Sequence, residues 1–414
     1  MIFLNKNITI IGINFYPEDT STGLYSTQMA EYLQENGFEV SVITGFPYYP
    51  QWEIWKDYKN KPKYLEEEYK GIKIYRFRQF TPKNPNFKNR IKHILSFTFG
   101  SLKNIKKIKK TDLIISIVPF TSDVLLAHLL AKKTNAKVWV HVQDFEFDAA
   151  FSAGVIEKKG IKKYISKFLF KLEKALFDKA DILSTISYSM LEKAKNKTKA
   201  ELFYFPNWID QDFINPKTAK IHPFLRSNKF KILYSGNIGA KQDWEFFIKV
   251  VEYFKENENL EFIVVGSGAK KDWLVEKIKN FPNVKIYEPI PYQELNDLLC
   301  SADLHILFQK SDIIDVVMPS KLLGMMASAK PSLVTGNLKS DTAKIIKDSE
   351  GGAFFEADDL NSTVKFIEKL YKNNIFINHL GVNARKYVIE NFSKEKVLGN
   401  FEKKIKEVIG DINE

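Results

Sequence analysis

Short apolar runs alternate with helical patterns along almost the whole chain, and they do so in two series. The runs of the first series lie at residues 8–13, 38–44, 72–77, 113–117, 138–142, 182–185 and 202–205. Those of the second lie at 231–234, 262–265, 284–287, 304–307 and 332–334. Segments with helical spacing lie between them, at 23–36, 123–133, 243–256, 270–280, 292–301 and 320–329. Apolar strands that alternate with helices form parallel sheets with helices on both faces. The sequence therefore predicts two doubly wound, Rossmann-like α/β domains.

The break between the two series lies in a polar, proline-punctuated stretch that begins at Pro206 and ends near Asn228. A chain of 414 residues is long enough for two domains of about 200 residues each. We predict one domain over residues 1–205, a second over 206–393 and a C-terminal helix within 394–414. Ligands of such sheets bind beyond the carboxyl ends of the strands, so two facing domains would bind theirs in the cleft between them.

Two loops of the second series have the composition of phosphate-binding loops. In one, an apolar strand runs into a glycine turn that is followed by a lysine, and in the other a Pro-Ser-Lys segment opens an apolar helix. Backbone N–H groups and a cation can hold a pyrophosphate at such positions. The residues expected to contact it are Gly236, Asn237, Gly239, Lys241, Pro319, Ser320, Lys321 and Leu322. An activated donor that carries phosphate is the predicted ligand, and ordinary strand-to-helix turns are the alternative.

Polar residues also follow two strands of the first series. Thr22 and Gly23 begin a helix after the first strand. Their N–H groups would contact a phosphate, or the turn is an ordinary capped helix start without a ligand. His141 and Asp144 follow an interior strand and would form a polar floor beside a sugar. Asp144 is the candidate for contact with the reacting sugar or an acceptor hydroxyl, while His141 has the alternative of a satisfied core residue. The spacing does not suit a metal ion, and we predict no metal site.

The chain lacks the sequence signatures of several classes of enzyme. The chain contains no P-loop, no complete dinucleotide-binding fingerprint and no serine nucleophile elbow. Its one cysteine, Cys300, excludes an intrachain disulfide and fits a reducing cytosol. The first residues lack the features of a signal peptide, and no apolar window reaches the roughly 18 residues of a membrane span. We therefore predict a cytoplasmic protein.

Positive charge is concentrated in two segments of a chain whose net charge is +12. Residues 83–110 and 158–179 are rich in lysine and also carry apolar residues such as Phe99 and Phe168. Basic amphipathic segments favour contact with an anionic membrane surface, and a solvated helix face is the alternative. No nucleic-acid-binding motif is present, so nucleic acid is not an expected partner. We predict peripheral attachment to the inner face of the plasma membrane.

Several motifs, in order along nearly the whole chain, resemble the GT-B glycosyltransferases of family 4. They are the opening with Thr22-Gly23 and residues 37–44, the Pro-Asn-Trp-Ile-Asp segment at 206–210, the Val-Val-Gly-Ser-Gly segment at 264–268 and the Leu-Leu-Cys-Ser-Ala-Asp segment at 298–303. A closer similarity is to the branch that holds the colanic-acid fucosyltransferase and the fucosamine transferases of O-antigen synthesis. That similarity lies at residues 47–52, 141–144, 205–208, 234–242 and 319–322.

The resemblance implies transfer of a sugar, fucose or an N-acetylated amino sugar, from a UDP- or GDP-sugar to an acceptor. The acceptor would be a polyprenyl-linked or growing oligosaccharide, and the reaction would retain the anomeric configuration without a metal or other cofactor. It makes Lys241 the lysine of the donor phosphate and places Ile290 beside the nucleotide base. Tyr48, Tyr49 and Trp52 would line the acceptor's path, and the C-terminal helix would pack back on the first domain. The predicted catalytic residues are Asp144, His141 and Lys241.

The chain departs from the family pattern at two places. Asn237 stands where an arginine is usual, and Val316 and Gly324 stand where a pair of glutamates is usual. Asp312 or Asp315 would take over part of the glutamates' role, with Ser320 and Lys321 compensating. Two alternatives follow: a nucleotide-sugar epimerase on the same fold, and a non-catalytic scaffold in polysaccharide assembly, which the missing glutamates support.

Overall fold

The computed structural model describes residues 6–19, 21–145, 147–148, 161–311 and 320–410. The chain divides into two units, one formed by residues 1–206 with 398–414 and the other by residues 207–397. The sequence-based prediction divides the chain into residues 1–205, 206–393 and 394–414.

The first unit is built on an eight-stranded sheet with the order β3-β4-β2-β1-β5-β6-β7-β8. Its strands are β1 (Asn7–Ile11), β2 (Glu39–Gly45), β3 (Tyr64–Tyr69), β4 (Ile72–Phe77), β5 (Leu113–Val118), β6 (Lys137–Val142), β7 (Ile182–Thr185) and β8 (Glu201–Tyr204). Its helices are α1 (Ser21–Glu35), α2 (Phe87–Ile105), α3 (Thr121–Thr134), α4 (Ile161–Phe177) and α5 (Tyr188–Ala194). Strand β1 lies in the middle, where Ile10 pairs with Val42 on one side and with Ile115 on the other.

The second unit is built on a six-stranded sheet with the order β11-β10-β9-β12-β13-β14. Its strands are β9 (Phe230–Ser235), β10 (Leu260–Val265), β11 (Val284–Tyr287), β12 (Leu304–Phe308), β13 (Ser332–Gly336) and β14 (Gly352–Glu356). Its helices are α6 (Trp244–Tyr253), α7 (Lys271–Ile278), α8 (Leu295–Cys300), α9 (Ser320–Ala327), α10 (Asp341–Ser349), α11 (Leu360–Tyr371) and α12 (Asn374–Phe392). The strand order reverses between β9 and β12, which makes the carboxyl ends of these two strands the switch point of the sheet.

The predicted fold class, two parallel α/β domains in series, is confirmed. The interior strands β5 and β10 are buried along their whole length, as expected of strands that are covered on both faces. Two edge strands were not predicted. Strand β3 pairs antiparallel with β4 and carries three consecutive glutamates, which an edge strand tolerates because one side is open to water. Strand β14 begins at Gly352 and lacks the continuous aliphatic run from which other strands were predicted.

The C-terminal helix, α13 (Lys394–Val408), joins the first unit from Leu398 onward. The ring of Phe401 stacks on Phe205 at a centroid distance of 4.1 Å and meets the buried Trp139 edge-on. The Tyr32 hydroxyl donates to Glu402 over 2.9 Å. Among the described helices, none combines the length and the apolar character that a bilayer crossing demands.

Candidate functional site

Gly236 of the first predicted phosphate loop and Lys321 of the second lie together at the switch point of the second unit. Gly236 directly follows β9, and Lys321 lies in the first turn of α9, which follows β12. Because β9 and β12 are neighbours in the sheet, the loop after β9 and helix α9 both lie at the carboxyl ends of the strands. A Cβ at Gly236 would lie 2.3 Å from Lys321 Cε and 2.6 Å from its Nζ. The Lys321 side chain therefore lies directly over Gly236, whose φ of +132° also favours glycine.

Lys321 is the half-buried cation of this site. Its ammonium donates to the Tyr234 hydroxyl over 2.8 Å and lies 4.7 Å from the centroid of the same ring. Burial lowers the pKa of the Lys321 ammonium to about 8, because the charged form loses hydration there. A partly dehydrated ammonium that offers several N–H donors is suited to bind an anion at the carboxyl ends of the strands.

Tyr234 connects the two loops and was not predicted as a site residue. Its hydroxyl accepts from Lys321 and donates to the backbone carbonyl of Asn237 over 2.5 Å. The ring is almost fully buried against Trp244, with a centroid distance of 4.8 Å. Burial also raises the pKa of the Tyr234 phenol, so the hydroxyl keeps its proton and its donor role. Tyr234 thus fixes both Lys321 and the glycine loop.

Close backbone approach explains the glycines of the neighbouring loop. A Cβ at Gly266 would lie 1.9 Å from the Gly236 carbonyl oxygen, and one at Gly268 would lie 2.4 Å from Asn237 Oδ1. A Cβ at Gly239 would lie 2.8 Å from Asn237 Nδ2. Glycines at 239, 266 and 268 therefore let the two loops and the Asn237 side chain pack against each other.

Protein acceptors already bind several N–H groups of the first loop. The N–H of Gly236 donates to Val265, that of Ile238 to Ser267, and that of Gly239 to the Gln242 side chain. Helix α6 begins only at Trp244, and the side chain of Asp243 accepts from Phe246 N at its start. The N-terminus of that helix is therefore occupied by a carboxylate, and we do not assign it to a phosphate.

The remaining predicted donor residues differ in their placement. Lys241 is exposed, so its predicted phosphate contact would require its side chain to approach a ligand from solvent. Leu322 is fully buried in the hydrophobic core, and Ile290 packs against that core while half-buried. Leu322 therefore shapes the site through α9 rather than by exposing its side chain. Pro319, Asp312, Asp315 and Val316 lie outside the described residues, as does the Ser320 side chain.

In the first unit, Glu18 organises the loop with the predicted acceptor residues. Its carboxylate accepts from the backbone N–H groups of Tyr48 and Tyr49, both over 2.7 Å, and from Asn14 Nδ2 over 2.7 Å. Glu18 is 2% exposed, and burial raises the pKa of its carboxyl. A Cβ at Gly23 would lie 2.8 Å from Glu18 Cβ, so the start of α1 packs directly on this residue.

The three predicted acceptor aromatics belong to one cluster. Tyr48 is buried and meets Trp52 at a centroid distance of 5.4 Å and His93 at 4.7 Å. Tyr49 and Trp52 are only partly buried, and the Arg90 guanidinium lies 5.4 Å from the Trp52 ring. Tyr49 and Trp52 are therefore accessible for stacking, whereas Tyr48 supports them from below. Thr22 is partly exposed beside the buried Gly23, and the role of this turn stays a prediction.

Arg76 also binds the backbone of the loop that contains Glu18. The Arg76 side chain is fully buried in β4, where it donates to the carbonyls of Gly45 and Tyr16 and pairs with Glu67. The sequence signal that could have identified Arg76 is an arginine among the core-facing residues of an apolar strand. Such a residue must find acceptors inside the fold.

His141 lies inside the first sheet. Its Nδ1 is 2.9 Å from Ser184 Oγ, and its Nε2 is 2.9 Å from Gln143 Nε2. Burial lowers the pKa of His141 to about 3, so the imidazole is neutral at physiological pH. Of the two roles that the sequence allowed for His141, this geometry matches a core residue whose hydrogen bonds are satisfied inside the fold. Asp144 lies half-buried in the turn after β6, and its catalytic role stays a prediction.

Comparison with known proteins gives matches over the second unit and over the whole chain. The family model for glycosyl transferases group 1 matches residues 229–373, the segment that holds Tyr234, Gly236 and Lys321. WcaI of Escherichia coli strain K12, which is named as a colanic acid biosynthesis glycosyl transferase, is 33% identical over 412 residues. The match covers 95% of this chain and 98% of WcaI.

Solved structures show the same fold at low sequence identity. Sucrose-phosphate synthase from Thermosynechococcus elongatus superimposes with a TM-score of 0.69 and 14% identity, covering 99% of this chain and 100% of that one. HepE of Anabaena, solved in complex with UDP, gives a TM-score of 0.68 and 10% identity, covering 97% of this chain and 100% of HepE. The shared fold is the GT-B fold of glycosyltransferases.

Proposed function

Because the chain belongs to the group 1 glycosyltransferases, we propose that it transfers a sugar from a UDP- or GDP-sugar to a lipid-linked or growing polysaccharide acceptor. The sugar is fucose or an N-acetylated amino sugar, the anomeric configuration is retained, and no metal ion takes part. The name of WcaI supports a role in polysaccharide synthesis, and the UDP held by HepE supports a nucleotide-linked donor. A polyprenyl-linked acceptor would place the protein at the cytoplasmic face of the membrane.

The observation that carries this proposal is the partly buried Lys321 ammonium over Gly236 at the switch point of the second unit. When the bond between sugar and phosphate breaks, negative charge develops on the leaving diphosphate. A preorganised cation in a poorly hydrated site stabilises that charge more than it stabilises the intact donor. Tyr234 holds the ammonium in place without neutralising it, because its phenol stays protonated.

Thermal shift measurements test the donor class. The protein is titrated with UDP, GDP, dTDP, CMP and NAD, with and without EDTA. We expect one nucleoside diphosphate to stabilise the fold, by about 2.7 kcal/mol at 100 times its dissociation constant. The shift should be independent of EDTA, be lost in Lys321→Ala and persist in Lys255→Ala, which removes an exposed lysine of the same unit. Stabilisation by NAD alone, or by none of the nucleotides, would contradict the proposal.

The pH dependence of UDP or GDP binding follows from the Lys321 pKa. Because that pKa is about 8 without ligand, the ammonium is charged below pH 8 and loses its proton above it. A bound diphosphate favours the charged form, so affinity should be highest below pH 8 and fall by about tenfold per pH unit above it. Isothermal titration at several pH values measures this fall. Lys321→Arg, which keeps its charge, should bind with little pH dependence, and an equally steep fall in that variant would refute the assignment.

A further inference from the structure

Three helices of the first unit expose large apolar side chains to solvent. Helix α2 exposes Ile91, Leu95 and Phe99, which recur at one-turn spacing along one face. Helix α3 exposes Leu125 and Leu129 in the same way, and α4 exposes Phe168 and Leu172. Phe99 and Phe168 are 67% and 65% exposed, so their rings project from the surface.

The three helices are neighbours, so these faces belong to one surface. Helix α2 contacts α3 through Thr98 Oγ1, which donates to Ser122 Oγ over 2.7 Å. Helix α3 contacts α4 through His128 Nε2, which lies 2.8 Å from the Leu176 carbonyl oxygen. We refer to the combined exposed faces of α2, α3 and α4 as the three-helix surface.

The charges of the three-helix surface all have one sign. The two acidic residues in these helices, Asp123 and Glu173, are buried, and Glu173 pairs with Lys197. The exposed basic residues that flank the apolar side chains include Lys88, Lys92, Lys103, Lys132, Lys167 and Lys171. Any partner of this surface must therefore accept aromatic rings and supply negative charge.

We propose that the three-helix surface docks the protein on an anionic lipid bilayer. Exposed rings enter the boundary between headgroups and acyl chains, while the lysines extend to the lipid phosphates. A second copy of this chain would bring the same positive charge to the contact and be repelled. This inference deepens the proposed function, whose acceptor is lipid-linked, but testing it requires neither donor nor acceptor.

Flotation with vesicles tests the surface directly. The full-length protein is mixed with vesicles of phosphatidylglycerol and phosphatidylcholine, or of phosphatidylcholine alone. We expect binding only to the anionic vesicles, with weaker binding at high salt. Phe99→Ser with Phe168→Ser should weaken binding by about tenfold or more. Lys167→Glu with Lys171→Glu should also weaken binding by about tenfold or more, because it replaces two attractive charges near the anionic surface with repulsive ones.

Matched variants in the second unit control for general effects. Ile375→Ser with Val382→Ser removes exposed apolar side chains elsewhere, and Lys255→Glu with Lys277→Glu lowers the net charge equally. Neither should change vesicle binding. Wild-type levels of binding in both three-helix variants, or a dimer in sedimentation that Phe99→Ser with Phe168→Ser dissociates, would overturn the lipid assignment. The nucleotide shift, measured on the same samples, reports the proposed function separately.

Discussion

Lys321→Ala is expected to lower kcat of sugar transfer by about 10²–10³-fold, the loss typical of removing one preorganised charge donor. The ammonium lies over Gly236 in a partly buried position, where it would meet the charge of the departing diphosphate. The variant should fold normally, since truncation removes a buried charge whose dehydration opposes folding. Steady-state kinetics with the donor that binds, together with thermal unfolding, measures both effects.

Lys241→Ala is the matched comparison for this prediction. The sequence assigned the donor phosphate to Lys241, whereas the structure leaves that side chain exposed. A charge in water is screened and contributes less than one in a buried site. We expect Lys241→Ala to lose clearly less activity than Lys321→Ala. The reverse order would show that the exposed lysine closes on the donor and that Lys321 has another role.

Glu18→Ala is expected to destabilise the first unit by about 2–6 kcal/mol, because it leaves two backbone N–H groups without their acceptor at about 1–3 kcal/mol each. Those groups belong to Tyr48 and Tyr49, so the loop that bears the accessible aromatics should lose its fixed position. In a folded variant, KM for the acceptor should rise more than the dissociation constant of the nucleotide. Urea unfolding and steady-state kinetics measure the two effects.

Two further variants separate this role from a general effect of charge. Glu18→Gln keeps a carbonyl oxygen for the two N–H groups and should retain most of the stability, provided that the Asn14 amide turns to accept from it. Glu53→Ala removes an exposed carboxylate that pairs with Lys59 and should change stability little. If Glu18→Ala unfolds at the same urea concentration as the wild type, the carboxylate does not hold the loop.

The elements of the fold were largely predictable because their signals are local. Strands such as β4, β7 and β11 have the predicted bounds, since each is a short apolar run between polar segments. The edge strands β3 and β14 escaped prediction, because an edge strand is only partly covered and needs no continuous apolar run. The glycine loop and the Pro-Ser-Lys segment were also visible, since small residues and a lysine beside a strand or helix end form a local pattern.

The burial of the predicted side chains could not be predicted from the sequence, because it depends on which elements pack together. Lys241 and Lys321 look equivalent in sequence, yet only Lys321 reaches Gly236, because β12 pairs beside β9 and brings α9 to that loop. Phe97 and Phe99 are neighbours in a basic segment, but the packing of α2 buries the first and exposes the second.

Local sequence patterns were enough to predict the two-domain α/β architecture, the family and the two loops that could hold a phosphate. Long-range packing makes Lys321 a partly buried cation, keeps His141 neutral and brings Glu18 to N–H groups 30 and 31 positions away. This difference arises because secondary structure follows from the spacing of neighbouring residues. Burial, pKa and hydrogen-bond partners depend instead on contacts between residues that are distant in the chain.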